Sequence, residues 1–465
     1  MASMKGYLDK LAGVCPREIL SMEEEVNPAA FEATAVLRRL EMAAKYPLVV
    51  FRRPLNLKGQ VSEFPLVMNV FADRARCALA LGMRREDSKL ALAIEYGRRE
   101  AGVCPPEVIP KSLAPVRQAV KVGDEADLRD LPIARHHEMD LAPYIDMALI
   151  LRDPESKAYN TAFLQTAFKG PRRLGLHMAR RHSREIVRRH EAAGKNTPVV
   201  IVVSHHPAFF LGTLNSVPFD ADDYEVIGSI MGENVRLTAS ESWGEDFLVP
   251  ADADLLIEGE VLAGCREVEG PFGEYHGHTG PQRSGWVIEV KAITNREGAC
   301  YQSIFVGHAD NWMLGAIPRE ATIYKRIKAS LPNVRGVHLA NSGCGRHNCY
   351  ISLKQSVAGQ ATQAAQIALA TADFVKNVVV VDDDIDPYNE QEVWWAIATR
   401  AQPEEDVDIL RGVSYKALDP SMKEEGVGSK MIIDATIPVG RPFDRRSTVP
   451  DAALIRAEAL LKGMI

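Results

Sequence analysis

The run Val268-Glu-Gly-Pro-Phe-Gly-Glu-Tyr-His-Gly-His-Thr-Gly280 places two acids, Glu269 and Glu274, five residues apart around Gly270, Pro271 and Gly273. On a helix a spacing of five turns the second side chain well away from the first, and in a strand an odd spacing sends the two to opposite faces. Only a turn makes them converge, and glycine and proline are residues that build one. Two readings stay open: a solvated loop, or a bent segment in which one carboxylate raises the pKa of the other. The flanks are strand-like. Thr197–Ser204 reads as a buried strand, while Gly285–Thr294, a turn at Asn295–Gly298 and Ala299–Val306 read as a hairpin. A helix capped at Ser183 and stopped at Gly194 lies upstream. The centre of the chain is therefore β-rich, with helices packed outside.

A chain of 465 residues is too long for one ordinary core, so two or three domains are expected. The first, residues 1–112, mixes a helical pattern over Ala30–Tyr46 with an apolar run at Pro47–Phe51, and ends near the proline-rich Cys104–Pro106 and Ile109–Pro110. The β-rich centre covers 113–308. Residues 309–465 carry a strand at Cys349–Leu353, a small-residue helix over Ala358–Ala372 and a strand at Asn377–Asp382, a β-α-β unit with a parallel sheet. The fold class is mixed α/β. An amphipathic tail from Pro450 is expected to dock on a second subunit or on its own domain.

Composition narrows the function. Hydrophobic residues make up 46% and charged residues 25%, the balance of a folded protein. A net charge of −7 offers no basic field for nucleic acid. The start has no signal-peptide core and no apolar run is long enough to span a bilayer, so a cytoplasmic protein is expected. Seven cysteines, an odd number, suit reduced thiols. Walker A, Gly-x-Gly-x-x-Gly and Gly-x-Ser-x-Gly motifs are absent.

Several smaller groups carry two readings each. Cys344, His347 and Cys349 suit packing or a substrate-side loop, or part of a zinc site that has no companion pair. Asp382, Asp383, Asp384 and Asp386 suit a solvated acidic loop or a cation site. His276 and His278 suit a polar pocket lining, with one orienting substrate, or a metal pair. Asn160, His182 and Glu225 form a mixed nitrogen and oxygen set suited to Mn²⁺ or Mg²⁺.

Together with the Glu269–Glu274 run, Val379-Val-Val-Asp-Asp-Asp-Ile-Asp-Pro387 and Glu392–Arg400, the order and spacing of these residues resembles the UbiD-like decarboxylases, which use prenylated FMN. The resemblance runs from Leu128 to Phe443. It implies a split β-barrel-like flavin-binding domain in the centre and a C-terminal α/β domain that forms a homodimer or higher homo-oligomer. The cofactor phosphate would be held through the metal at Asn160, His182 and Glu225, with His177 as a substitute for His182, and K⁺ near Asn215–Pro218. Lys376 and Arg400 are expected either to add positive charge near the phosphate or to serve ordinary surface roles. Glu274 would be the proton donor and Glu269 its partner.

The family's arginine five residues after the metal-binding asparagine is here Gln165. Gln165 is a neutral stand-in, or Arg172 or Arg173 reaches in, or the chemistry is lost. The implied function is reversible, non-oxidative decarboxylation of an aromatic, heteroaromatic or α,β-unsaturated acid, free or as a conjugate, with a flavin prenyltransferase supplying the cofactor. The alternatives are a non-catalytic flavin-binding subunit and a divalent-metal hydrolase.

Overall fold

The structure is a computed structural model that describes residues 3–178, 182–415, 418–422 and 426–461. Near the N-terminus, strands Ile19–Val26, Leu48–Pro54 and Leu66–Met68 form a sheet whose apolar residues, Val49 to Phe51 and Leu66 to Met68, are buried. Tyr301–Gln302 joins this sheet in parallel with Leu66–Val67.

That pairing overturns the hairpin expected at 285–306. The strand Arg283–Asn295 has both edges occupied, since Thr294 pairs with Leu256 on one side and with Val120 on the other. The chain after Gly298 has no free edge to return to, and it leaves for the N-terminal sheet instead.

Among the described residues, six antiparallel strands close into a barrel: β1 (Tyr144–Arg152), β2 (Tyr159–Gly170), β3 (Arg173–Leu176), β4 (Thr197–Ser204), β5 (Leu255–Glu269) and β6 (Arg283–Asn295). Their order is β5-β4-β1-β2-β3-β6, and β6 pairs back onto β5. Register shifts at Glu258/Gly259 and Val261/Arg266 let the long β5 bend enough to close the ring. Val199–Val203, Met147–Leu151 and Leu255–Ile257 fill its core. Closure removes the free edges that a run of such apolar strands would otherwise expose.

The C-terminal sheet has the order Val334–Leu339, Asn348–Leu353, Asn377–Val381, Val427–Ala435, Val407–Ser414. Asn348–Leu353 and Asn377–Val381 are parallel and joined through the helix Gln360–Thr371, as the β-α-β pattern requires. The 22-residue helix Ala309–Ser330 packs on this sheet and on the helix Leu90–Glu100. Its Asp310 accepts hydrogen bonds from the backbone of Asn69 and Phe71, and its Glu320 pairs with Arg74 at 2.7 Å, tying the N-terminal region to the C-terminal sheet. The terminal helix Asp451–Leu461 is exposed along its described length, Leu454, Ile455 and Leu460 included. Of the two docking places expected for the tail, its own domain is not used.

Candidate active site

The opening run leaves β5 at Glu269 and re-enters the barrel at Arg283, its register partner on β6. Between them Gly270–Pro271 is a cis peptide, and Phe272–Gly273 pairs with Thr279–Gly280 in a two-residue ladder. The Glu274 N–H donates to the His278 carbonyl at 2.9 Å and the Gly277 N–H to the Glu274 carbonyl at 3.0 Å, closing the turn. Asp140 clamps the turn to the preceding loop: one carboxylate oxygen accepts from the Gly273 N–H at 2.8 Å, the other from the His136 and His137 N–H groups at 3.1 and 2.8 Å. The far side is tied to the C-terminal region. Trp312 Nε1 donates to the Tyr275 carbonyl at 2.6 Å, and the Tyr275 hydroxyl lies 3.2 Å from His347 Nε2.

The solvated-loop reading fails, because Glu269 is 1% and Glu274 7% exposed. Among the described residues Oε1 of Glu274 has no hydrogen-bond partner, while the Gly270 N–H and the Tyr144 hydroxyl lie where they favour the Glu269 carboxylate. Glycine makes room for Glu269: a Cβ on Gly175 would stand 2.0 Å from its Oε2. Burial pushes Glu269 up to about 7 against the pull of the Lys169 charge. Burial also raises Glu274, against Arg283 and Arg346. The two acids do not raise one another as the spacing suggested; desolvation is the main cause in each. A third acid sequence reasoning missed, Asp146 on β1, is buried beside them. Burial and then the charges of Asp140, Glu274 and Glu269 hold its carboxyl well above the usual range.

Gln165 sits opposite Asp146 in the β1–β2 register, and its Nε2 is 3.4 Å from the Gly273 carbonyl. Neither arginine expected as a substitute reaches in: Arg172 pairs with Asp124 and Glu289, and Arg173 with Glu267 and Glu289. Arg283 stands there instead. Its Nη2 is 3.9 Å from Glu274 Oε1 and its Nη1 2.9 Å from His177 Nε2. Burial, then the Arg283 and Arg184 charges, push His177 down to about 4, so it is neutral and accepts that bond through Nε2. The sequence signal for Arg283 was its place at the head of β6, visible only once β5 and β6 are known to pair.

A cavity of about 790 Å³ opens beside the turn, within the size range of small-molecule sites. Its lining includes Asn160–Leu164 of β2, Met178, His182, Ser183 and Thr213–Val217, together with Tyr275, Arg319, Arg346 and Thr371–Phe374. Asn160 and His182 both line the cavity, and Asn160 Oδ1 accepts from the Ser183 hydroxyl at 3.0 Å. Of the two acids on the helix Asp223–Met231, Asp223 lines the cavity and Glu225 does not. Asp223 is buried and accepts from the Thr161 N–H and hydroxyl at 2.6 and 2.7 Å. Glu225 lies two residues on and half-buried, away from that lining, as a spacing of two on a helix dictates. Among the described residues no group of three or more His, Cys, Asp or Glu side chains could hold a metal ion.

The remaining expected residues are committed elsewhere. Arg400 is buried and donates to Asp382 at 2.8 Å and to Asp384 at 2.9 and 2.7 Å, which also replaces the cation reading of that acidic run. Lys376 donates to Asp419 at 2.8 Å and Ser421 at 2.6 Å. Cys349 is buried in the C-terminal core, and His347 Nδ1 contacts the Tyr415 hydroxyl at 2.7 Å, so the zinc reading lapses. Asn215 lines the cavity while donating to the Gly212 carbonyl at 3.0 Å. No helix among the described residues is long and apolar enough to cross a membrane.

Comparison with known proteins agrees with this geometry along the whole chain. Residues 16–93, 107–309 and 312–435 match the family models described as the N-terminal, Rift-related and C-terminal domains of 3-octaprenyl-4-hydroxybenzoate carboxy-lyase. The chain is 32% identical to the anhydromevalonate phosphate decarboxylase of Methanothermobacter thermautotrophicus over 94% of its length and 97% of the relative's. It is 30% identical to a phenolic acid decarboxylase of Bacillus subtilis over 91% and 90%. The UbiD-class enzyme HmfF from Pelotomaculum thermopropionicum, solved in complex with FMN, superposes with a TM-score of 0.89 at 32% identity, covering 98% of this chain and 99% of that one. With the closed barrel, the buried acid pair and these full-length matches in agreement, the chain belongs to the UbiD family of carboxy-lyases.

Proposed function

We propose that the protein is a prenylated-FMN-dependent decarboxylase of an aromatic, heteroaromatic or α,β-unsaturated carboxylic acid, with Glu274 as its proton donor. The observation that carries this is a buried glutamic acid beside a cavity, with Oε1 unpartnered among the described residues. That unpartnered oxygen and the size of the neighbouring cavity fit a bound flavin. Asn160, His182 and Asp223 would hold its phosphate through a divalent ion, Asp223 taking the part first assigned to Glu225. When bound, prenylated FMN supplies the electron sink that loss of carbon dioxide from an sp² carbon demands.

The chain's own groups supply the proton and its control. Burial raises the Glu274 carboxyl above its ordinary range, against the pull of Arg283 and Arg346, and so favours the protonated form that a donor needs. Once it has donated, Arg283 and Arg346 lie where their charges stabilise the carboxylate left behind, and water returns the proton. Glu269, held by the same turn and pushed up to about 7, is about half protonated at neutral pH. Asp140 and Trp312 fix the turn and so fix the position of the donor.

The test is protein made together with a flavin prenyltransferase and offered unsaturated and phenolic acids in deuterated water. Carbon dioxide release with one deuterium in the product is expected. A correctly loaded protein that releases none with any of them is the non-catalytic flavin-binding subunit instead, and turnover without flavin absorbance would point to the hydrolase.

A further inference from the structure

We infer that His347 is a positioning residue for the proton donor, acting from the C-terminal region through Tyr275 on Glu274; this rests on the decarboxylase reading. His347 stands just before the strand Asn348–Leu353, and its backbone is bonded into that sheet. Its N–H donates to the Gly343 carbonyl at 2.7 Å, and its own carbonyl accepts from the Lys376 and Asn377 N–H groups, each at 2.9 Å. The loop before it is so tight that a Cβ on Gly343 would collide with the Asn348 nitrogen. The imidazole is thus carried on a fixed base.

The hydrogen bonds of this ring run in one direction. The Tyr415 hydroxyl donates to the Phe374 carbonyl at 2.8 Å, so its oxygen accepts from His347 Nδ1 at 2.7 Å. Nδ1 also lies 3.1 Å from the same carbonyl, which can only accept, so Nδ1 carries the hydrogen. Burial pushes the imidazole pKa down, which leaves the ring neutral and Nε2 with a bare lone pair. The Tyr275 hydroxyl, 3.2 Å away, is then the donor. The path from Tyr275 through His347 and Tyr415 ends on backbone, with donor and acceptor matched at each step.

Tyr275 is gripped at both ends. Trp312 Nε1 holds its carbonyl and His347 its hydroxyl, while Arg346 lies 4.3 Å from the ring centre and Phe374 meets the ring edge-on at 5.6 Å. Glu274 is joined to this residue by one peptide bond, and the ladder that closes its turn is only two residues long, so its direction depends on what holds its neighbours. Asp140 anchors Gly273, the residue before the donor, and His347 anchors the residue after it. Phenylalanine at 275 would fill the same part of the cavity lining without that anchor, so the hydroxyl supplies position rather than bulk.

Steady-state kinetics and amide hydrogen exchange on flavin-loaded protein test this. Tyr275→Phe and His347→Phe should each lower kcat about tenfold, as expected for one hydrogen bond that aims a reacting group, with KM and flavin absorbance unchanged. Because both break the same contact, Tyr275→Phe/His347→Phe should be no slower than either alone. His347→Gln, whose side-chain carbonyl can still accept from Tyr275, should recover most of the rate. In the three phenylalanine variants the Glu274 and Gly277 amides should exchange about tenfold faster than in the parent. Parental kcat in both single variants, losses that multiply in the double variant, an equal loss in His347→Gln, a rise in KM in place of the fall in kcat, or unchanged exchange overturns the inference. If the loaded parent decarboxylates nothing, the decarboxylase reading falls by itself; the exchange rates then decide whether His347 anchors the turn, so the two fail separately.

Discussion

Two groups of acids sit at turns of this chain, and the structure treats them in opposite ways. Asp382 and Asp384 follow a strand of the C-terminal sheet and are gripped by Arg400, with Arg446 donating to the Asp384 backbone at 3.1 Å. The Arg400 hydrogen bond holds the Asp384 carboxyl below its usual range, while burial raises Asp382 against the pull of the Ile437 N–H and Arg400. Glu269, Glu274 and Asp146 are buried at the barrel with no such clamp, and burial raises all three. A paired, ionised acid does structural work; a buried acid without a close partner is costly in the resting protein and holds a proton that can be given away. What separates the two groups is the distance of the guanidinium, 2.7 and 2.8 Å from Arg400 to Asp384 and Asp382 against 3.9 Å from Arg283 to Glu274, not the acids themselves.

The sharpest way to break the comparison is to remove the proton. Glu274→Gln keeps the shape and the burial but cannot donate, and kcat should fall about a thousandfold with flavin content unchanged. Fully active, flavin-loaded Glu274→Gln would place the proton elsewhere, Asp146 first. On the pH axis, activity should be lost as pH rises through the raised pKa of Glu274.

Glu269 bears on stability more than on rate. Its pKa rises from 4.5 unfolded to about 7 folded, so the native state holds a proton that the unfolded chain releases. The sign follows: below 4.5 both states are protonated and the group is neutral to stability, stability falls as pH rises from 4.5 to 7, and above 7 the full penalty stands. That penalty is about 3 kcal/mol. Urea unfolding of Glu269→Gln at pH 5 and pH 8 should show a variant that gains on the parent with pH, by up to that amount.

Arg400→Gln tests the other member of the comparison. Leaving Asp382 and Asp384 without their cation should cost about 2 kcal/mol, less than a fully buried pair because Asp384 is half-exposed. Decarboxylation should be untouched, since Arg400 is committed to these acids and is absent from the cavity lining. A loss of flavin in this variant would return Arg400 to the phosphate.

Much of this was legible in residue order, and the limits have physical reasons. The strand Thr197–Ser204 and the parallel Asn348–Leu353/Asn377–Val381 unit follow from local apolar runs and turn residues, which carry their own signal. The turn that carries Glu269 and Glu274 could be read because Gly270, Pro271 and Gly273 build one. Arg283, Asp140 and Asp146 could not, because their roles depend on register across β5–β6 and β1–β2 and on a loop far away in sequence. Asp223 and Glu225 differ by two positions on one helix, and which of them lines the cavity depends on the side of the helix that meets β2. The failed hairpin has the same origin: a turn was visible, but which edges were already taken was not.

The smallest effect is also the one that discriminates most. Gln165→Arg would set a guanidinium beside Asp146, its register partner, and near the Gly273 carbonyl that Gln165 now contacts. A cation there favours ionised carboxylates and should draw the raised pKa values down by about one unit. If Arg283 already serves the acids and Gln165 is a working neutral stand-in, the alkaline limb of the kcat profile moves to lower pH by that amount. The rate at the acid plateau then stays within about threefold, because one redundant cation changes the protonated fraction and not the donor. If the glutamine instead marks lost chemistry, the same substitution restores turnover at every pH, a change of opposite sign. Arg283→Gln in the same background then separates the cations: activity that depends on Arg283 in the parent, and on it no longer in Gln165→Arg, shows that either guanidinium can stand beside Glu274 in the role that Arg400 fills permanently for Asp382 and Asp384.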